Sequence, residues 1–144
     1  MSLIEIASNA PEADCETSLR ASYESRFDRA GRPLSGVCGD FMYWEMLDWS
    51  TLLICGDGEM DDFSYDAPPP WSRHEISSVI IAEGVQTIGA YAFSAEVTAI
   101  RGLELIVPSS LRKVGAFAFS ETFVDVINFP DDVDVDPSAF FIGF

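Results

Sequence analysis

The feature that most constrains this chain is that residues 79–141 repeat themselves. The first copy is Val79-Ile80-Ile81-Ala82-Glu83-Gly84-Val85-Gln86-Thr87-Ile88-Gly89-Ala90-Tyr91-Ala92-Phe93-Ser94. The second is Leu105-Ile106-Val107-Pro108-Ser109-Ser110-Leu111-Arg112-Lys113-Val114-Gly115-Ala116-Phe117-Ala118-Phe119-Ser120. The third runs from Ile127-Asn128-Phe129-Pro130 through Val133 and Val135 to Ala139-Phe140. Phe93 to Phe119 is 26 residues and Phe119 to Phe140 is 21. Periods of this length signal a solenoid, because one such unit cannot bury its apolar face alone and must stack on a neighbour.

The physics of one unit is legible. Val79 and Ile81, Leu105 and Val107, and Ile127 and Phe129 are each two residues apart, which places each pair on one face of a short strand. Ala82, Pro108 and Pro130 end those strands, the prolines because they lack the N–H that a ladder needs. Val85 and Ile88, then Leu111 and Val114, point inward from the returning segment. Gly89 and Gly115 are read as residues that allow a tight bend. Ala92-Phe93, Ala118-Phe119 and Ala139-Phe140 close the coils with one small and one large residue.

Composition narrows the function. The 144 residues hold 24 acids against 8 bases, a net charge of −16, yet 48% are apolar and 12% aromatic. Such a chain buries a real core and is not a disordered polyanion. Its acidity excludes nucleic-acid binding, which needs clustered Lys and Arg. No window is apolar enough to insert in a membrane as a helix. The charge divides as −2 over residues 1–34, −8 over 35–78 and −6 over 79–144, so the acidity belongs to the later segments.

These segments also divide the architecture. Residues 1–34 form a helical arm: Leu19, Tyr23, Phe27 and Ala30 share one helical stripe, and Gly31 with Pro33 stops it. The segment begins without a basic leader, so it does not read as a signal peptide. Residues 35–78 form a β-rich capping block. Phe41–Leu47 and Thr51–Cys55 pair as a hairpin about Asp48-Trp49-Ser50, and Gly56-Asp57-Gly58 breaks the second strand. A loop follows, in which Pro68-Pro69-Pro70 stiffen the chain and drop Trp71 onto the core. The fold class expected is mainly β with some α: a short solenoid of about three repeats in residues 79–144, capped by the hairpin block and the N-terminal helix.

Chemistry-bearing constellations are sparse. His74 is the only histidine, and no nucleophile elbow, P-loop or H-E-x-x-H motif accompanies it; no catalytic residue and no cofactor is assigned. Asp57, Glu59, Asp61 and Asp62, and then Asp131, Asp132, Asp134 and Asp136, are acidic clusters whose spacing fits no cation loop, so they are read as solvated surface. Cys15, Cys38 and Cys55 show no metal-site spacing. Three isolated buried thiols are expected, with a Cys38–Cys55 bridge as the alternative.

The repeat resembles the bacterial-surface-protein-A (BspA-like) type of leucine-rich repeat, whose pattern is roughly I-x-I-P-x-x-V-x-x-I-G-x-x-A-F. Residues 105–119 match it as Leu-Ile-Val-Pro-Ser-Ser-Leu-Arg-Lys-Val-Gly-Ala-Phe-Ala-Phe. Gly36-Val37-Cys38-Gly39-Asp40, Leu52–Met60 and Pro70-Trp71 resemble the β-rich block that precedes such repeats. The cysteine that often follows Ala-Phe-Ser in the family is absent, with Glu96 and Glu121 nearby instead. The resemblance implies a non-enzymatic protein-binding module at the cell surface or secreted, serving recognition or adhesion. The alternative is an intracellular acidic inhibitor or immunity-type protein that blocks a basic site on an enzyme.

The residues expected to meet a protein partner lie on the strand face opposite the core and at the apolar tail. They are Ile80, Glu104, Ile106 and Asn128, with Phe141 and Phe144. The uncharged positions of that face have a second reading, as the seat of the N-terminal helix. The tail Phe140-Phe141-Ile142-Gly143-Phe144 should fold over the last coil, or be covered by a partner or a second copy of the chain.

Overall fold

A computed structural model describes residues 31–143 apart from Arg101, Ile127 and Asn128. The predicted N-terminal helix, and the candidate residues Asn128 and Phe144, lie outside the described residues. Among those residues there are ten strands and no helix.

The main sheet has six strands in the order β1-β2-β3-β5-β7-β9. Strands β1 (Ser35–Gly39), β2 (Met42–Met46) and β3 (Thr51–Gly56) form an antiparallel meander. The turn between β2 and β3 is set by Asp48, whose carboxylate accepts from the N–H groups of Ser50 and Thr51 at 2.9 and 2.8 Å. This is the Asx geometry that an aspartate offers at a turn. Partial burial pushes the Asp48 carboxyl up, but the hydrogen bonds from Ser50 and Thr51 together outweigh it and leave the group below its usual value. From β3 onward the sheet is parallel: β5 (Ser78–Ile81), β7 (Gly102–Ile106) and β9 (Phe123–Val126) follow in turn.

A second, smaller sheet has the order β10-β8-β6-β4 and is parallel throughout. Its strands are β4 (Gly58–Glu59), β6 (Val85–Ile88), β8 (Lys113–Val114) and β10 (Asp134–Val135). Each coil therefore contributes one strand to the main sheet and one to the small sheet, then closes through a turn-rich corner.

The core lies between the two sheets and the corners. Leu52, Val79 and Leu105 are register neighbours, and Ile54 pairs with Ile81; all five are buried. Val85, Ile88, Leu111 and Val114 close the core from the other side, and Ala92, Phe93, Ala118 and Phe119 fill the corners. A column of stacked rings runs through them: Trp71 on Phe93 at 5.5 Å, Phe93 on Phe119 at 5.5 Å, and Phe119 on Phe140 at 5.1 Å. Beyond burial, each such pair contributes about 0.5–1.5 kcal/mol.

Several expectations are corrected here. Gly56-Asp57-Gly58 breaks the second strand as expected, Gly56 being the last residue of β3, but an unforeseen short strand, β4, opens at Gly58 against Val85. Together β3, β4 and Trp71 make a coil ahead of the first recognised copy. In the third copy the strand comes earlier than its motif, and Val126, rather than Ile127, pairs with Leu105. Gly89 and Gly115 lack the positive φ that a glycine-dependent bend requires. They are glycines because the adjacent coil's backbone leaves no space: a Cβ on Gly89 would sit 1.8 Å from the Asp61 carbonyl oxygen, and one on Gly115 2.8 Å from the Ala90 nitrogen.

The cysteines also depart from the reading of three isolated thiols. Cys38 is free and buried, and Cys55 is disulfide-bonded. The alternative Cys38–Cys55 bridge is excluded by the same two facts. Burial, and then the charge of Asp61, push the Cys38 thiol up, so it is held protonated and unreactive.

Candidate partner-binding surface

The corners of successive coils are joined by backbone hydrogen bonds. The N–H of Tyr91 donates to Ala116 O at 3.1 Å, that of Phe93 to Ala118 O at 2.7 Å, and that of Ala95 to Ser120 O at 3.0 Å. The next coil repeats the arrangement: Phe119 donates to Ala139 O and Glu121 to Phe141 O, both at 2.7 Å. Inside this ladder the hydroxyls of Ser94 and Ser120 meet at 2.7 Å, and Thr122 Oγ1 donates to Phe93 O at 2.9 Å. These buried polar groups are satisfied across coils, which fixes the corners in register.

Neighbouring residues in each corner point opposite ways. Phe93 and Phe119 enter the dry column, while Tyr91 and Phe117 stand outside it. Tyr91 stacks on Phe117 at 5.2 Å with ring planes 21° apart. Tyr65 packs on Tyr91 at 5.4 Å, and Phe117 meets Phe141 edge-on at 6.2 Å. The result is a second aromatic column outside the first: its end members are exposed, Tyr65 by 60% and Phe141 by 51%, and its central members Tyr91 and Phe117 are half-buried.

The backbone of this outer column is strained. Tyr91 and Phe117 have φ of 57° and 55°, a left-handed conformation that bulky side chains rarely adopt and that costs on the order of 1–2 kcal/mol each. The strain recurs at the same position of two coils.

Carboxylates flank the ridge. The Tyr65 hydroxyl donates to Glu96 Oε2 at 2.5 Å, and Gly143 N–H donates to Glu121 Oε1 at 2.7 Å. The Tyr65 phenol is pushed up to about 12, first by its hydrogen bond to Glu96 and then by desolvation and the charges of Glu96, Tyr91 and Glu121.

The predicted site residues distribute over two places. Phe141 belongs to the ridge. Ile80, Glu104 and Ile106 belong to the outer face of the main sheet, where Ile80 pairs in register with Ile106 and Ser78 with Glu104. Ile80 is buried there, Ile106 is half-buried and Glu104 is exposed, so the three do not form one open patch. Tyr65, Tyr91 and Phe117 were missed by sequence reasoning. The signal was present as an aromatic in the second place of Ala-x-Ala-Phe in two copies. Residues 140–143 of the tail pack on the last coil, the first of the outcomes expected for it, through the Phe140 stack on Phe119 and the hydrogen bonds of Phe141 and Gly143 with Glu121.

Other candidates have structural positions. His74 is buried, with Nε2 2.6 Å from Pro33 O. Asp62 Oδ1 accepts from Ala90 N–H at 2.8 Å, linking coils, and Asp136 Oδ1 accepts from Ser138 N–H and Oγ at 2.9 and 2.6 Å. Among the described residues no three His, Cys, Asp or Glu side chains gather as a metal site.

No family model and no curated protein matches the chain. Among solved structures it is similar to a leucine-rich repeat protein from Eubacterium ventriosum, with 22% sequence identity and a TM-score of 0.56. The fold is a leucine-rich-repeat solenoid. The likeness covers 70% of this chain and 27% of that one, so it spans about a quarter of that longer leucine-rich repeat protein. It agrees with the BspA-like repeat read from residues 105–119.

Proposed function

We propose that this solenoid is a non-enzymatic protein-binding module that engages its partner through the ridge Tyr65–Tyr91–Phe117–Phe141. The observation that carries this reading is the repeated strain at Tyr91 and Phe117. The fold spends conformational energy to hold two bulky, half-buried rings in a left-handed conformation at the same place of two coils, outside the core column. Aromatic side chains of this kind anchor protein interfaces, since they offer large contact area with few rotors.

The chemistry of the ridge also selects a partner. Glu96 and Glu121 beside aromatic faces suit Lys or Arg side chains, which gain from both the carboxylates and the rings. The net charge of −16 adds a field that steers basic surfaces toward the molecule. A surface or secreted setting accords with the disulfide at Cys55, because such bonds persist in oxidising compartments and are rare in the cytoplasm. This favours recognition or adhesion outside the cell over an intracellular inhibitor.

The test is a titration with a short Lys/Arg peptide, followed by chemical shifts in the full chain. Shifts should map to Tyr65, Tyr91, Phe117 and Phe141, weaken with added salt, and vanish in a Tyr91→Asn/Phe117→Asn double variant. Shifts confined to other surfaces, or unchanged in that variant, would overturn the ridge as the site.

A further inference from the structure

An edge strand presents alternate N–H and C=O groups to whatever lies beside it. β9 pairs with β7 along one side, and no strand among the described residues pairs with it along the other. Its side chains sort by register. Val124 pairs with Leu103 and packs on the core, whereas Phe123 and Asp125 pair with Gly102 and Glu104 and are exposed with them on the outer face.

The inner aromatic column loses its cover at the same end. Phe93 and Phe119 are fully buried, but Phe140, the next ring, is 39% exposed. Phe140 and Ile142 line one shallow groove with Thr122, Phe123, Val124 and Asp125 of the β9 segment. An apolar shelf therefore lies directly beside an unpaired backbone.

Charge selects what fits there. Residues 79–113 hold three acids and three bases, whereas residues 114–144, which carry β9, hold six acids and no base. The negative charge of the repeats is thus confined to this end. A second copy joined through β9 would set the acidic end against itself, which like charges oppose. We propose that β9 takes up an extended basic segment of a partner protein as a seventh strand of the main sheet. Its apolar side chains cover Val124 and Phe140, and its Lys or Arg side chains, on the alternate face, lie beside Asp125. A strand added there sits about 5 Å from β9 and about 10 Å from β7, so the same cations also feel Glu104. Main-chain hydrogen bonds supply affinity and the alternation supplies specificity. This surface is additional to the aromatic ridge.

The probe is acetyl-Val-Lys-Val-Lys-Val-Lys-Val-amide, titrated into the full chain and followed by amide chemical shifts. Shifts and slowed hydrogen exchange should centre on Phe123, Val124 and Asp125, and binding should weaken with salt. The same peptide with Glu in place of Lys should not bind. Two further peptides carry N-methyl groups on either the Val or the Lys amides. Only one set of amides can face β9, so one peptide should bind and the other should not; equal binding by both would overturn the added strand. Asp125→Lys alters an exposed side chain and should weaken the probe by about tenfold, and unchanged affinity would overturn the site. The Tyr91→Asn/Phe117→Asn variant should bind the probe as the natural chain does. Loss of binding there would assign the probe to the ridge, overturning this proposal and leaving the ridge reading intact. Self-association that protects Phe123–Val126 without peptide would make a second copy the occupant and overturn the basic partner.

Discussion

Trp71 stacks on Phe93 at 5.5 Å with ring planes 20° apart, although Trp71 lies before the first recognisable repeat. Its indole N–H donates to Ala92 O at 2.9 Å, so one side chain both heads the aromatic column and satisfies a corner carbonyl. Trp71 thereby occupies the position that phenylalanine takes in every later coil.

Replacing that ring should be costly. Trp71→Ala is expected to destabilise the fold by about 3–5 kcal/mol, the usual cost of removing a large buried aromatic. Trp71→Phe should keep the stack, lose the hydrogen bond and cost about 1–2 kcal/mol. Urea denaturation followed by tryptophan fluorescence and circular dichroism checks both values; similar losses in the two variants would show that stacking contributes little.

The ridge should behave differently from the core. Tyr91→Asn and Phe117→Asn each relieve a left-handed aromatic, since asparagine tolerates that conformation, and each removes a ring contact worth about 0.5–1.5 kcal/mol. The opposing terms predict a stability change within about 1 kcal/mol of zero. Thermal unfolding measures it, and a loss comparable to Trp71→Ala would identify the outer column as core instead.

Tyr65 should titrate late. Its folded phenol lies at about 12 against an ordinary 10, so the neutral form is favoured by the folded state. The associated stability is fully present below pH 10 and is lost as pH rises through about 12. Glu96→Gln removes the carboxylate and should bring the phenol back toward 10. Tyrosinate absorbance against pH, compared between the two proteins, decides the matter.

Close backbone approach predicts the fate of two glycines. Gly89→Ala places a Cβ against the Asp61 carbonyl, and Gly115→Ala places one against Ala90 with less overlap. Both should destabilise, with Gly115→Ala costing about 1–3 kcal/mol as an overpacked site does and Gly89→Ala more. Chemical denaturation of the two variants tests the order, and equal or negligible losses would contradict it.

Most of the inner ladder was legible because alternation and period act on the same residues. Val79, Ile81, Leu105 and Val107 are apolar for one reason, and two copies display it. The earlier coil was hidden because its second strand is only Gly58-Glu59, its corner is a proline loop, and a tryptophan stands where the pattern has phenylalanine. The strand slip at Val126 was hidden because backbone register follows coil length, and the last coil is shorter. The ridge was hidden for another reason: full burial constrains residue type strongly, whereas a half-buried aromatic at one corner resembles any surface aromatic until two coils are superposed. The outer sheet face stayed ambiguous because Ile80 and Ile106 read alike as a binding patch or as a covered seat.

The two edges of the main sheet are unlike. At one edge the antiparallel pair β1–β2 seals β3, while at the other β9 ends the parallel series with Phe123 66% exposed and Asp125 in solvent beside it. The molecule thus has a polarity that its net charge and composition do not express. The parallel coil series ends at β9, where an added parallel strand would continue it, whereas the opposite edge is β1, an antiparallel strand whose ladder is interrupted between Val37 and Gly39.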